Sequence, residues 1–201
     1  METRIAKIIS YLFHPLLMPS YGLLLFFYLD RHVSYFLPFE IKKTLFLMTL
    51  SFTFVLPVMN AIVLLRMKII RSLSMETKEE RRLPLLITAI FYFAEYYLLT
   101  EAEVPATLKL LMLSAIISVM LTVIINLFWK ISAHMIGIGG ITGMAFILSI
   151  LFQTPAFLII SSLFVIAGII GYARLQLQAH SITEIYSGFL VGFLCPMIFL
   201  F

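Results

Sequence analysis

Three ionisable residues, Arg174, His180 and Glu184, lie between a long apolar run that ends near Tyr172 and another that begins at Ile185. His180 and Glu184 are four residues apart, so on a helix they share one face and can form a hydrogen bond. Such a carboxylate fixes the imidazole tautomer and raises the basicity of the other ring nitrogen, as a nucleophile or general base requires. On one continuous helix Arg174 would point elsewhere, so convergence requires a helix to begin between Arg174 and His180. Taken alone, the triplet fits a structural role as well as a catalytic one: Arg174 could be a juxtamembrane arginine, and His180 and Glu184 could cap a helix.

The composition of the chain is that of a membrane protein. Of the 201 residues, 62% are hydrophobic and only 12% are charged, and the mean hydropathy is +1.09. Apolar runs long enough to cross a bilayer recur along the chain. The single cysteine, Cys195, lies within such a run, which leaves no disulfide framework and no cysteine-based metal site. The predicted fold class is therefore all-α, a polytopic transmembrane bundle of six to seven spans in a single domain over residues 1–201.

The apolar runs also predict where the bundle bends. The candidate spans cover about residues 8–29, 44–65, 85–99, 106–128, 132–152, 156–172 and 185–201. His14-Pro15 and Pro19 interrupt the first span, which predicts a kinked or partly interfacial helix, and His14 is interpreted as a structural or interfacial histidine. Pro84 is expected in the first turn of the third span.

Counting spans predicts which polar segments meet. Two spans separate Pro84 from His134, and two more separate His134 from Arg174. The basic stretch 66–84, the Ser-Ala-His turn and the Arg/His/Glu stretch therefore surface at one membrane face. Glycines 137, 139, 140 and 143, which follow the Ser-Ala-His turn, are interpreted as helix-packing residues.

The groups gathered at that face suit a phosphoryl group. Lysine and arginine cations and the free N–H groups of a helix that opens at Ser132 can hold phosphate oxygens. His180 can attack phosphorus and form a phosphohistidine, and His134 can protonate the leaving oxygen. No carboxylate cluster for two Mg²⁺ ions is visible in the sequence. We therefore expect chemistry without a metal or another cofactor.

The Arg/His/Glu stretch resembles a motif of the type-2 phosphatidic acid phosphatase superfamily, which includes the vanadium haloperoxidases. That motif reads Ser-Arg, five residues, His, three residues, Asp. Arg174, His180 and Glu184 have this spacing, with Ala173 in place of the serine and Glu184 in place of the aspartate. The extra methylene of Glu184 changes the reach to His180, and we expect activity to survive that change.

Two further motifs of the superfamily have counterparts in the chain. Residues 131–134 read Ile-Ser-Ala-His where the family has Pro-Ser-Gly-His. Residues 78–84 correspond to Lys, six residues, Arg-Pro, but only three residues separate Lys78 from Arg82, and Leu83 precedes the proline. The resemblance covers about residues 71–192 and implies a phosphatase-type core.

The resemblance also implies a role for each matching residue. His180 would be the nucleophile, Glu184 its orienting partner and His134 the leaving-group acid, with Lys78, Arg82, Arg174, Ser132 and Ala133 binding the phosphate. The expected function is hydrolysis of a membrane lipid phosphate or diphosphate, such as phosphatidic acid, phosphatidylglycerophosphate or undecaprenyl diphosphate. Two alternatives use the same residues: a lipid-phosphate binding or transport-like protein without catalysis, and a lipid phosphotransferase.

The partners expected from the sequence are a membrane lipid phosphate and the bilayer itself, in a bacterial inner membrane. The net charge of +4 belongs to the loops and does not indicate nucleic acid. Four of the fourteen lysines and arginines lie on the opposite face, so the positive-inside rule favours a cytoplasmic site. Three of the remaining ten are predicted ligands, and many bacterial relatives work at the periplasmic face. Both orientations, and the oligomeric state, stay open.

Overall fold

The computed structural model describes residues 2–73, 75 and 77–201, and this part of the chain is helical and contains no strand. Its α-helices are α1 (Glu2–Leu12), α2 (Met18–Leu29), α3 (Arg31–Phe36), α4 (Phe39–Leu50), α5 (Leu56–Arg66), α6 (Lys78–Glu101), α7 (Ala106–Phe128), α8 (Ala133–Leu151), α9 (Phe157–Gln176) and α10 (Ile182–Leu200). A 3₁₀ turn over Pro15–Leu17 joins α1 to α2, and a π-helical segment over Ser51–Val55 joins α4 to α5.

Seven segments of the described chain are long and apolar enough to cross a membrane, which confirms the predicted polytopic all-α bundle. They are Thr3–Leu29, Phe39–Arg66, Lys78–Glu101, Ala106–Phe128, Ala133–Leu151, Phe157–Gln176 and Ile182–Leu200. The protein is therefore an integral membrane protein. The α8 span is the most deeply buried of the seven and lies at the centre of the bundle.

The first span bends at His14, as the sequence predicts. Pro15 fixes its own φ and disfavours a helical conformation at the residue before it. His14 accordingly has extended backbone angles (φ −63°, ψ 135°), and its Nδ1 accepts a hydrogen bond of 3.3 Å from the Leu16 N–H. This contact places the His14 ring inside the bend rather than at an exposed membrane boundary.

The third span begins earlier than the sequence predicts. Helix α6 starts at Lys78, so Pro84 is its seventh residue and does not lie in the first turn. Thr77 caps the helix by accepting a hydrogen bond of 3.4 Å from the Glu80 N–H. Two glutamates in the first turn complement the positive end of the helix dipole. The last part of the basic stretch is therefore helical, which fixes the directions of its side chains.

Glycines allow α8 and α10 to pack backbone to backbone. A methyl group at Gly139 would collide with the Phe189 carbonyl oxygen, and one at Gly143 would collide with that of Phe193. Gly192 of α10 lies equally close to the Ile136 carbonyl oxygen of α8. The interpretation of these α8 glycines as packing residues is confirmed, and their close contact sets α8 directly beside α10.

A polar pair crosses between α4 and α6 in the interior. Glu95 has an exposed fraction of 0%, and its Oε1 accepts a hydrogen bond of 2.6 Å from the Thr49 hydroxyl. Polar side chains inside a membrane bundle pair across helices in this way because lipid offers them no partner. The pair ties the second span to the third.

Candidate functional site

The connection between α9 and α10 returns the chain over the end of α9. Arg174 lies in the last turn of α9, and Gln178 adopts a left-handed conformation (φ 51°) just beyond it. The Ala179 N–H donates 3.1 Å to the Arg174 carbonyl, which closes the helix end. His180 follows in the connection, immediately before Ser181, which caps α10. The expected helix start between Arg174 and His180 is wrong: α10 begins at Ile182, after His180, and the chain reversal beyond α9 brings the two residues together instead.

His180 and Glu184 form the predicted pair. The Nδ1 atom of His180 lies 2.6 Å from Oε2 of Glu184. The side chains are only 2% and 15% exposed, so water screens the pair weakly. Because an ionised carboxylate only accepts hydrogen bonds, Nδ1 carries the proton and the lone pair of a neutral ring is on Nε2. The pair therefore holds His180 in the tautomer that a nucleophile needs.

Three cations act on this imidazole. Burial is the largest cause of its pKa shift, and the charges of Arg81, Arg174 and Lys130 add to it in that order. Together they lower the pKa of His180 from 6.5 to about 3. The Glu184 carboxylate favours the charged ring, but burial and three cations outweigh it. The imidazole is therefore neutral at physiological pH, and an anion among the same cations would offset their repulsion.

The N-terminus of α8 lies beside this pair. The Ser132 N–H donates 3.3 Å to the Glu184 carbonyl, which joins the start of α8 to the first turn of α10. Ser132 makes no side-chain cap to α8, so its hydroxyl does not occupy the first N–H groups of the helix. Ala133, the other predicted phosphate-cradling residue, is the first residue of α8. These N–H groups and the helix dipole form a positive end next to His180.

Arg81 is a site residue that the predicted ligand set does not include. Its Nε donates 2.7 Å to the Met75 carbonyl, and its Nη1 donates 3.4 Å to the Ile131 carbonyl. The second bond places the guanidinium beside the segment that precedes α8. Lys130 was also missed, although its charge acts on His180. Arg81 lies in the first turns of α6, which precede the predicted start of the span, so the sequence does not predict the direction of its side chain.

Lys78 and Arg82, the predicted ligands on α6, lie one turn apart on the same helix. The Lys78 carbonyl accepts 2.6 Å from the Asn126 amide, which fixes the first turn of α6 to the end of α7. Neither side chain has a described bond to the His180 pair, so their assignment as phosphate ligands stays a prediction. Arg82 is partly buried, and its Nε has no hydrogen-bond partner among the described residues.

Two other predicted phosphate ligands also hold unpaired polar atoms. Ser132 Oγ and Arg174 Nε are buried and have no hydrogen-bond partner in the described part of the chain. An unsatisfied buried polar group costs about 1–3 kcal/mol, and in native proteins it calls for an explanation such as a ligand. The atoms of this kind at Arg82, Ser132 and Arg174 are donors that phosphate oxygens can use.

His134 and Arg174 both contact the N-terminal helix α1. The His134 Nε2 lies 3.1 Å from the Ser10 carbonyl oxygen, which only accepts, so this nitrogen carries a proton. Arg174 Nη1 donates 3.2 Å to the Ser10 hydroxyl. The His14 ring packs edge-on against the His134 ring, with centroids 5.8 Å apart. The sequence offers no sign that residues 10 and 14 would reach these two groups.

The arrangement combines an oriented neutral imidazole, fixed cations, a helix N-terminus and a second, proton-bearing imidazole. This set can bind a tetrahedral anion, stabilise its negative charge and exchange protons with it. The described residues hold no group of three or more His, Cys, Asp or Glu side chains placed to bind a metal ion. A scan of protein-family models and searches of curated proteins and solved structures find no match to this chain.

Proposed function

We propose that this chain is a membrane lipid phosphatase with a core like that of the type-2 phosphatidic acid phosphatases, acting in a bacterial inner membrane. It hydrolyses a lipid phosphate or diphosphate through a phosphohistidine, with side chains supplying the positive charge. The observation that carries the proposal is the His180–Glu184 hydrogen bond of 2.6 Å in the field of Arg81, Arg174 and Lys130. An imidazole held neutral and oriented among cations suits attack on an anionic phosphate.

In the first step, the Nε2 lone pair of His180 attacks phosphorus. A P–N bond forms while the P–O bond to the lipid breaks, and the leaving oxygen takes the Nε2 proton of His134. Arg81, Arg174 and the α8 N–H groups hold the equatorial oxygens, over which charge spreads in the transition state. Glu184 stabilises the positive charge that appears on the His180 ring.

In the second step, water attacks phosphorus of the phosphohistidine. The deprotonated Nε2 of His134 accepts a proton from that water, which restores its starting state. The P–N bond breaks, its electron pair returns to Nε2 of His180, and inorganic phosphate leaves. Both imidazoles thereby end the cycle as they began it.

The test is phosphate release by purified protein in EDTA from phosphatidic acid, phosphatidylglycerophosphate and undecaprenyl diphosphate. We expect turnover by the wild type and a loss of at least about 10³-fold in His180→Ala, because the nucleophile is gone. His32→Ala, which alters an exposed histidine of α3, is the matched control and should keep full activity. Equal rates in the wild type and His180→Ala would refute the mechanism.

One observation favours a second candidate, a lipid-phosphate binding protein without catalysis. The Ser10 carbonyl holds the His134 proton that the leaving group needs, at 3.1 Å. A binding protein would keep the cations and leave this contact intact. Tight binding of a lipid phosphate with no release of phosphate from any of the three substrates would establish the binding function instead.

A further inference from the structure

A cavity of about 190 Å³ lies inside the bundle, lined mostly by four helices, α2, α6, α7 and α8, with Leu45 and Thr49 of α4 and Pro196 of α10. Its walls are mainly aliphatic and aromatic side chains contributed by all four helices. Such a lining binds hydrocarbon, since burying apolar surface is the main favourable term available to it.

The cavity begins at the candidate anion site. Ala133, which precedes His134, and Pro15, which follows His14, line its upper end, and the His14 ring packs against the His134 ring. Leu99 and Leu108 line its lower end, near the opposite ends of α6 and α7. Along α6 the lining runs from Leu85 to Leu99, about 21 Å at 1.5 Å per residue. One leaflet of hydrocarbon is about 15 Å thick, so the cavity is long enough for a single lipid chain.

The hydroxyl groups in the wall are already hydrogen-bonded within the protein. The hydroxyl groups of Thr88, Ser118 and Thr122 donate to the carbonyls of their own helices at 2.6–2.8 Å. Glu95 also belongs to the lining and has an exposed fraction of 0%; its Oε1 accepts from Thr49, and its buried Oε2 has no hydrogen-bond partner among the described residues. An apolar chain can therefore occupy the cavity without stranding exposed polar groups.

We propose that one hydrocarbon chain of a lipid phosphate binds in this cavity, with its phosphate at the N-terminus of α8. This proposal rests on the proposed function for the identity of the headgroup, but the chain site can be tested without turnover. The substrate class it names is a long-chain lipid phosphate whose chain leaves the bilayer and enters the protein. The affinity should therefore depend on the length of the hydrocarbon chain, and the depth of the cavity sets the longest chain that fits.

Two wall glycines offer a way to shorten the cavity. A Cβ added at Gly140 would lie 3.8 Å from the Gly192 carbonyl oxygen, and one at Gly22 would lie 3.8 Å from the Met144 sulfur, both ordinary contacts. Measured along α8 from Ala133, Gly140 lies about 10 Å into the cavity. Gly22 faces Met144, which lies about 16 Å into the cavity on the same scale. Leucine at these positions should block the chain at two different depths.

The experiment measures binding of octyl and hexadecyl phosphate to purified protein carrying His180→Ala, which cannot turn over. We expect Gly140→Leu to reduce the preference for the longer chain at least about 10-fold, because each lost methylene contact costs about fourfold. Gly22→Leu should reduce it less. Gly168→Leu is the matched control: this exposed α9 glycine has open space around it, so the preference should stay unchanged.

Equal chain-length preferences in Gly140→Leu and Gly168→Leu would place the chain outside the bundle and overturn the proposal. Ala115→Leu, which enters the cavity from α7, replaces Gly140→Leu if that variant does not fold. Because binding is read without chemistry, a wild type that releases no phosphate would refute the phosphatase function and leave the chain site standing or falling on its own data.

Discussion

Glu184, which is partly buried, and Glu95, which is fully buried, are both bonded at 2.6 Å, yet their surroundings differ in kind. Glu184 binds an imidazole at a membrane face where Arg81, Arg174 and Lys130 act on that ring. Glu95 binds a threonine hydroxyl inside the bundle, beside a mainly apolar cavity. The residue type is the same, but only Glu184 lies beside an imidazole on which several cations act.

The difference distinguishes the candidate site from a contact that holds two helices together. The face site collects residues from α1, α6, α8, α9 and the start of α10, and some of their polar atoms have no partner among the described residues. The interior pair joins neighbouring spans through the Thr49–Glu95 bond, and its one unpartnered atom, Glu95 Oε2, is a carboxyl oxygen rather than a donor that an anion could use. Variants of the two regions should therefore affect different quantities: catalysis at the face and stability in the interior.

Removing a cation from the face site should have the largest effect. Arg174→Ala loses a charge and the donors that phosphate oxygens use, so we expect kcat/KM to fall about 10²–10³-fold. Arg174→Lys keeps the charge and should recover part of that loss. Arg66→Ala, at the exposed end of α5, is the control. Steady-state kinetics on a lipid phosphate give the answer, and an unchanged Arg174→Ala would remove this residue from the site.

Neutralising each glutamate in turn tests the comparison directly. Glu184→Gln should lower kcat about 10²-fold, because the amide neither fixes the imidazole tautomer nor stabilises its charge. Glu184→Asp keeps the carboxylate and should retain more activity. Glu95→Gln still accepts from Thr49, so activity should stay within about twofold and stability within about 1 kcal/mol. Similar activity losses in Glu184→Gln and Glu95→Gln would erase the distinction between the regions.

The pH dependence sharpens the electrostatic side of the comparison. Because the pKa of His180 is lowered to about 3, the imidazole stays neutral as the pH falls through its ordinary value of 6.5 and protonates only near the lowered pKa. Nuclear magnetic resonance of ¹⁵N-labelled histidine, assigned with His180→Gln, should show neutral His180 at a pH of about 5. A bound phosphate analogue should raise the midpoint. A midpoint near 6.5 without ligand would contradict the cation field described here.

The smallest expected effect is at Ser10. Its hydroxyl accepts a hydrogen bond of 3.2 Å from Arg174, for which phosphate oxygens compete. Ser10→Ala should therefore lower KM about two- to fivefold while kcat changes little, since the Ser10 carbonyl still contacts His134. Ser34→Ala is the control: Ser34 lies in α3, beyond the end of α2 that is remote from the candidate site. A rise in KM would show that Ser10 helps to bind the substrate.

The sequence predicts most of the fold because long apolar runs allow few alternatives. Spans, their order and the kink at His14-Pro15 follow from hydropathy and proline geometry. Counting crossings also predicts that Ser132, Arg174 and His180 surface together, and the structure brings them together through the Ser132–Glu184 backbone bond. The spacing of His180 and Glu184 predicts their bond, although His180 lies just outside the helix.

What the sequence does not predict are contacts set by helix phase and long-range packing. Arg81 contacts Ile131 from the part of α6 that precedes the predicted start of the span, where Thr77 caps the helix. The Ser10 contacts join residues more than 120 positions apart, and no local pattern encodes them. The cavity likewise arises from the spacing between helices rather than from any one segment.

The most direct test of the account is to trap the covalent intermediate. Wild-type protein mixed with a labelled lipid phosphate and quenched in alkali, which preserves phosphohistidine, should carry phosphate on the peptide that contains His180, as mass spectrometry can show. His180→Ala should carry none, and His134→Ala should accumulate little because the leaving oxygen lacks its proton. Full turnover by the wild type with no phosphate on His180 would contradict the central claim.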